Sequence, residues 1–394
     1  MNETIYMPVG EVCSSISDTY REKKNMVTLI NTSDVLEGRV LNHERVPNSN
    51  LKGQFKKTFQ RDDVLYSEIR PQNRRFAYVD FSPIDYIAST KLMVIRAKKD
   101  VVSPKYLYYF LKNSSTVAEL QLLAETRSGT FPQITFSEVA NLTIPVPPLA
   151  VQEVIVQTMQ CLEDKTICNE QINDNLEQQA QAIYHERFET VSPNDLPSDW
   201  RIVTLGEVAT ISNKSFNPLK EPEILLEHYS IPAFDEVRFP VFELSTSIKS
   251  NKFIIDASCF MISKLNPTTK RVWKPYCLTG NAVCSTEFIV YKAKDKTITD
   301  FLYSVIDSNS FSDFMCSHVT GSTGSRQRTT PSDTLSYELI LPSEDELAEF
   351  QSLVSPMYAQ IRINAIENDR LKRLRDSLLP KLMSGEIDVS TIQL

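Results

Sequence analysis

The chain is poor in glycine, with nine in 394 residues and none arranged as G-x-G-x-x-G or as a P-loop. Both of those loops need glycine to bring backbone close to phosphate, so neither kind of nucleotide site is expected. Histidine is scarcer still: His43, His185, His228 and His318 lie far apart, in no ligand or triad spacing. No H-E-x-x-H, G-x-S-x-G or kinase signature occurs. The seven cysteines (Cys13, Cys161, Cys168, Cys259, Cys277, Cys284, Cys316) are odd in number and include no C-x-x-C pair. That argues against a disulfide framework and a zinc site, and for reduced thiols acting as small hydrophobes. No apolar run reaches the ~20 residues of a membrane span. Residues 1–10 carry no basic patch followed by an apolar stretch, so no signal peptide is expected and a cytoplasmic protein is the default. The remaining composition, 41% hydrophobic and 23% charged, is that of a soluble chain with room for two to three domains.

The net charge of −8 counts at first against nucleic acid, but its distribution is uneven. Residues 45–105 hold 13 Lys/Arg against 6 Asp/Glu, and residues 264–296 hold 7 against 2. Residues 145–200 hold 2 against 10. A basic stretch is more often a solvated face than a nucleic-acid site, but here basic segments recur at matching places in each half.

The recurrence is part of an internal repeat. Val9-Gly10-Glu11-Val12 returns as Leu205-Gly206-Glu207-Val208, and Ser67-Glu68-Ile69-Arg70-Pro71 as Ser263-Lys264-Leu265-Asn266-Pro267. Ala88-Ser89-Thr90 returns as Cys284-Ser285-Thr286, and Val94-Ile95-Arg96-Ala97-Lys98 as Val290-Tyr291-Lys292-Ala293-Lys294. Each pair is offset by 196 residues, and Pro145 and Pro342 by 197. The chain is therefore two copies of one unit of about 195 residues, a duplicated domain rather than a solenoid. Each copy begins with β-rich runs such as Val64-Leu65-Tyr66 and Phe260-Met261-Ile262. A short helix (Pro104–Leu111, Ile298–Ile306) and a Gly/Ser/Thr loop follow.

Each copy closes with a long helix. The first should run from Pro148, a favoured first-turn residue, to about Glu189. The second should start near Ser343, with Glu344, Asp345 and Glu346 in its first turn, and Pro356 should kink or bend its first third. Ile155, Met159, Leu162, Thr166, Asn169, Asn173, Leu176, Ala180 and Ile183 follow alternating steps of four and three. Leu347, Phe350, Val354, Met357, Ile361, Asn364, Asn368, Leu371 and Leu378 follow the same rhythm. Such seams predict a coiled coil. Asn169 and Asn173 match Asn364 and Asn368, and buried asparagines fix register. The helices could instead pack each on its own domain. Equal seams with equal polar layers favour pairing, antiparallel for an internal duplication. A helix over 150–187 would be on the order of 55 Å long.

Four polar loops stand at repeat-equivalent positions. Arg70, Gln72, Asn73, Arg74 and Arg75 follow one strand, and Lys264, Asn266, Thr268, Lys270 and Arg271 surround the end of its counterpart. Arg127, Ser128, Thr130 and Gln133 precede the first long helix; Ser322, Thr323, Ser325, Arg326, Gln327 and Arg328 precede the second. Arg can bond guanine bidentately, Asn and Gln adenine, and Lys and Arg hold phosphates. All are candidate DNA contacts. Asn266-Pro267-Thr268-Thr269 opens like an amino-methyltransferase motif but lacks the second proline and the aromatic that would stack a flipped base.

Tandem repeats of this kind resemble the specificity subunits of Type I restriction–modification systems. Ile144-Pro145-Val146-Pro147-Pro148-Leu149-Ala150-Val151-Gln152 is similar to that family's proline-rich helix start, with Val151 where Glu is usual. Ser377-Leu378-Leu379-Pro380-Lys381-Leu382-Met383-Ser384-Gly385-Glu386-Ile387 is similar to the end of its second helix. Ser263 to Pro267 and Ser285-Thr286-Glu287-Phe288 are similar to recurring strand motifs of its target-recognition domains. Leu341-Pro342-Ser343-Glu344 departs from the helix-start motif, with one proline where the first copy has three.

The resemblance implies an α+β fold with a pseudo-two-fold internal repeat. Two target-recognition domains, mixed α/β with a curved sheet, would occupy 1–147 and 191–342. Two long antiparallel helices, at 148–190 and 343–394, would separate them as a coiled coil. It also implies a non-catalytic subunit that binds double-stranded DNA, each domain reading half of a bipartite site while the helices set the unread gap. Two methyltransferase subunits would dock on the helices and bring S-adenosylmethionine, with two motor-nuclease subunits able to join. This chain would hold no cofactor and no metal, and would meet no membrane. The alternative is a DNA-independent coiled-coil adaptor with two protein-binding heads. An enzyme built on His228, Asp235 and Glu236 ranks lower, because the first copy has no counterpart.

Overall fold

The computed structural model describes residues 4–49, 53–126, 132–320 and 327–389. The chain divides into two compact units: Met1–Lys165 with Arg370–Leu394, and Thr166–Asp369.

In the first unit two four-stranded sheets carry the β part. One, all antiparallel, orders Cys13–Ile16, Leu92–Ala97, Val64–Ser67 and Phe76–Tyr78. The other orders Val46–Pro47, Met26–Ile30, Tyr86–Ser89 and Phe55–Lys57, with Tyr86–Ala88 parallel to Thr28–Ile30. Strand alternation explains why the central runs are apolar throughout. Leu65, Leu92 and Val94 face a cluster with Ile30 and Ala88 of the second sheet and with Val35 of a small two-stranded pair. Val64, Tyr66, Met93 and Ile95 point the opposite way, onto helix residues Tyr106, Leu107 and Leu120. Both faces are covered, so Val64–Tyr66 and Leu92–Ile95 read as continuous apolar runs. A ribbon of Ile5–Pro8 with Thr143–Val146 leads into the first long helix. That helix adds Ile155, Val156 and Met159 to the helix-side core, and the end of the second adds Leu379, Leu382 and Met383.

The second unit repeats the plan. Phe260, Ile262, Ile289 and Tyr291 face one cluster, while Cys259, Met261, Phe288 and Val290 face another. A ribbon of Arg201–Thr204 with Glu338–Leu341 leads into the second long helix. The outer sheet has five strands instead of four, through Val241–Leu244, and a helix Ile231–Val237 is added. The core ends in an aromatic cluster. Phe188 lies 5.4 Å from Phe301 and 5.2 Å from Phe350, ring centre to ring centre, with Phe350 fully buried.

The first long helix runs Leu149–Tyr184 and finishes in a π-helical turn, His185–Glu189. The second runs Glu344–Ser384 unbroken through Pro356. The helix continues across Pro356, which removes one backbone hydrogen bond, and Val354 and Tyr358, on either side, are buried. Within the second unit the helices pair antiparallel. Asn169 Nδ2 donates to Asn368 Oδ1 (2.8 Å) and Glu367 Oε2 (2.7 Å), and Asn364 Nδ2 to Asn173 Oδ1 (2.8 Å).

The loop expected directly after each short helix is preceded by a second helix, Ser114–Thr126 in one copy and Asn309–Ser317 in the other. Its signal was local. Ser308 Oγ accepts from Phe311 N as an N-cap, and Asn113 Oδ1 accepts from Ser115 N. Among the described residues no helix is long and apolar enough to cross a membrane.

Candidate nucleic-acid interface

In each unit the two polar segments singled out in the sequence meet at one corner of the inner sheet. In the first, Ile69 bridges Gln133, and Arg70 N donates to Pro132 O (3.1 Å). In the second, Leu265 bridges Arg328, and Asn266 N donates to Gln327 O (2.9 Å). The serine ending each strand braces the corner in the same way: Ser67 Oγ accepts from Ile69 N (3.1 Å), and Ser263 Oγ from Leu265 N (3.2 Å). Repeat-equivalent Arg70 and Asn266 both adopt left-handed backbone, φ 45° and 48°. That conformation is strained for arginine and easier for asparagine. The corner thus turns the chain sharply off the sheet in both copies.

The corner presents Arg70, Gln72 and Asn73 as exposed residues, the last two on the turn Pro71–Asn73. Gln72 N donates to Gln121 Oε1 (3.2 Å), which ties the turn to helix Ser114–Thr126. In the second copy Thr268 is exposed, and Lys264 and Asn266 are half-buried. Asn266 Oδ1 is buried without a partner among the described residues.

Other predicted contacts are engaged within the fold. Arg74 Nη2 donates to Ser114 Oγ (3.0 Å) and Arg75 Nη1 to Ser33 O (3.0 Å). Lys270 pairs with Asp307 (3.0 Å), and Arg271 grips Asp235 through Nε and Nη2 (2.6 and 2.9 Å). Arg328 grips Glu287, and Gln133 Oε1 accepts from Lys91 Nζ (3.3 Å). Arg127, Ser128, Thr130, Ser322, Thr323, Ser325 and Arg326 lie outside the described residues.

The basic stretches are likewise partly balanced. Arg96 is bidentate on Asp63 (2.8 Å twice), and Lys292 meets Asp256 at 2.5 Å. Lys274 pairs with Asp300. Local charge excess therefore overstates the positive surface. The corner itself also contains Glu68, Lys91 and Glu287, which the sequence reading did not single out. Their signal was charge reversal at the repeat offset: Glu68 stands where Lys264 does, and Lys91 where Glu287 does.

The residues of the enzyme reading find other partners. His228 Nδ1 lies 2.6 Å from Glu243 Oε1, and Asp235 holds Arg271. Burial holds His228 below the usual imidazole range, against the opposing pull of Glu243. Among the described residues no cluster of three or more His, Cys, Asp or Glu could hold a metal ion.

Residues 6–178 match the family model of the type I restriction modification DNA specificity domain. The chain is similar to the type I restriction enzyme HindI specificity subunit of Haemophilus influenzae, 27% identical across 92% of this chain and 94% of that one. A chain solved for the complex assembly and conformational transition of a type I R-M system has a similar fold: TM-score 0.52, 19% identity, 98% of each chain. So has the S subunit of the type I restriction–modification system of M. genitalium, with a TM-score of 0.53 at 15% identity over 97% and 96%.

Proposed function

We propose that the chain is a type I restriction–modification specificity subunit, the DNA sequence-recognition subunit of such a complex; the family-model match over residues 6–178 and the 27% identity to the HindI specificity subunit across 92% of this chain support the reading. The observation that carries this reading is the repeated corner: each unit brings two polar segments together beside the same sheet, with exposed side chains able to read base edges. Each unit reads one half of a bipartite, gapped site, and neighbouring lysines and arginines supply phosphate contacts. The chain itself performs no chemistry and holds no cofactor. Two methyltransferase subunits dock on the long helices and bring S-adenosylmethionine, and two motor-nuclease subunits can join them. The comparisons lend no support to a DNA-independent adaptor.

The test is a genome-wide map of methyladenine in the host with and without the gene. A split motif should vanish on deletion, and exchanging residues 1–147 for those of a relative should change one half only. An unchanged map, together with duplex binding that is absent or insensitive to salt, would return the adaptor reading, since phosphate contacts make affinity fall steeply with salt.

A further inference from the structure

The turn that leaves the inner sheet at the corner is closed in the same way in both copies. Ser67 N donates to Arg75 O (2.8 Å), as Ser263 N does to Arg271 O (2.9 Å), and these bonds shut the base of the turn. Asn73 N donates to Arg70 O and Thr269 N to Asn266 O, both at 2.9 Å, which tightens its tip. Pro71 and Pro267 are buried beneath it. On this shared backbone Gln72 and Asn73 stand where the second copy has Thr268 and Thr269.

The cations that follow the tip are turned back into the fold. Arg74 donates to Ser114 Oγ and Arg75 to Ser33 O, both at 3.0 Å. Their counterparts Lys270 and Arg271 hold Asp307 (3.0 Å) and Asp235 (2.6 and 2.9 Å). The tip itself carries neutral groups. Gln72, Asn73, Thr268 and Thr269 are exposed, and their side chains make no hydrogen bond among the described residues. A turn that gripped phosphate would send its cations outward, since that attraction is one of charge for charge. Neutral side chains on a braced turn suit base edges instead. A carboxamide matches N6 and N7 of adenine, and the methyl of threonine packs on the 5-methyl of thymine. Both edges belong to an A·T pair, approached from one base or from the other. A turn anchored before binding also loses less freedom on binding.

We infer that the tip of this turn determines specificity in each copy: Gln72 and Asn73 read an adenine in one half-site, and Thr268 and Thr269 read a thymine in the other. The inference rests on the proposed function and adds the bases and the residues.

The assembled methyltransferase complex is titrated against duplexes built on its mapped methylation motif, the halves being assigned by the exchange of residues 1–147. In the half read by the first copy each adenine is replaced in turn by 7-deazaadenine, which keeps its pairing and lacks N7. In the other half each thymine is replaced by uracil, which lacks only the methyl. One 7-deazaadenine should weaken the wild type roughly three- to tenfold, as the loss of one hydrogen bond would, and Q72A/N73A should be indifferent to it. One uracil should weaken the wild type roughly fourfold, as the loss of one buried methyl would. T268S/T269S, which keeps both hydroxyls, should be indifferent to that uracil. Each variant should leave the profile of the other half unaltered. Q72T/N73T should lose the 7-deazaadenine penalty and gain a uracil penalty in the same half. Melting temperatures are measured alongside, and Q72T/N73T is read in place of Q72A/N73A if the latter fails to fold. A wild type insensitive to every such replacement in either half overturns the inference. So does a variant that keeps all the wild-type penalties, or one that weakens all duplexes alike, as a lost phosphate contact would. A wild-type complex without any gapped motif instead defeats the proposed function.

Discussion

Single residues show how polar groups are used inside this chain. Asn169 is fully buried at the helix seam, and its Oδ1 has no partner among the described residues although its Nδ2 has two. A half-satisfied amide fixes alignment better than it adds stability. Asn169→Ala should still lower the stability of the second unit by about 1–3 kcal/mol, because Asn368 and Glu367 lose a buried donor; denaturant unfolding measures this. His228 gives a pH dependence. Its folded-state value lies below the ordinary 6.5, first because it is buried, with Lys252 adding in the same sense and Glu243 opposing. The unfolded chain therefore takes up a proton before the folded one as pH falls. Stability is complete above the unfolded value and declines as pH drops below 6.5 toward the folded value. The unfolding midpoint of the second unit should fall between about pH 7 and 5.5, and His228→Gln should flatten that slope; an equal slope in both proteins would exclude His228 as its source.

At the scale of elements, the long helices are parts of two cores as well as a pair. The start of the first and the end of the second complete one core; the end of the first and the start of the second complete the other. Phe350 shows the dependence, enclosed by Tyr184, Phe188 and Phe301. Phe350→Ala should cost about 3–5 kcal/mol and lower the melting of the second unit, as calorimetry would record. The loop at Gly38 is a second sensitive point. Its φ is 108°, and an added Cβ would sit 2.2 Å from the hydroxyl of Tyr108. Gly38→Ala should destabilise the first unit while leaving the Phe350 core unchanged. Periodicity made the long helices and central strands legible, since apolar spacing of 3.6 or a fully apolar run speaks for itself. It missed Ser114–Thr126, where Leu122 is largely exposed and Thr116 and Gln121 are buried, so apolar spacing does not mark the buried face. At Pro356 the helix continues where a local rule would allow a break, with Val354 and Tyr358 buried on either side.

For the whole molecule, the strongest remaining prediction concerns the helix pair as the proposed spacer. Inserting seven residues into each long helix, at positions that keep the seam in phase, should change the gap in the mapped motif and leave both half-sites intact. Altered half-sites would remove the spacer role. The duplication was written in the sequence, because a constant offset survives in short motifs wherever two copies must form the same strand, turn and helix start. The seams and their asparagine layers were written there too, as periodicity is a property of order along the chain. Tertiary structure alone decided which cations are spent inside the fold, since the partner of Arg271 lies 36 residues away and that of Arg96 lies 33 away. It also decided that the segments around residues 70 and 133 share one corner, as do those around 266 and 328. Such meetings depend on pairing between strands far apart in sequence, and neither periodicity nor spacing encodes the register of that pairing.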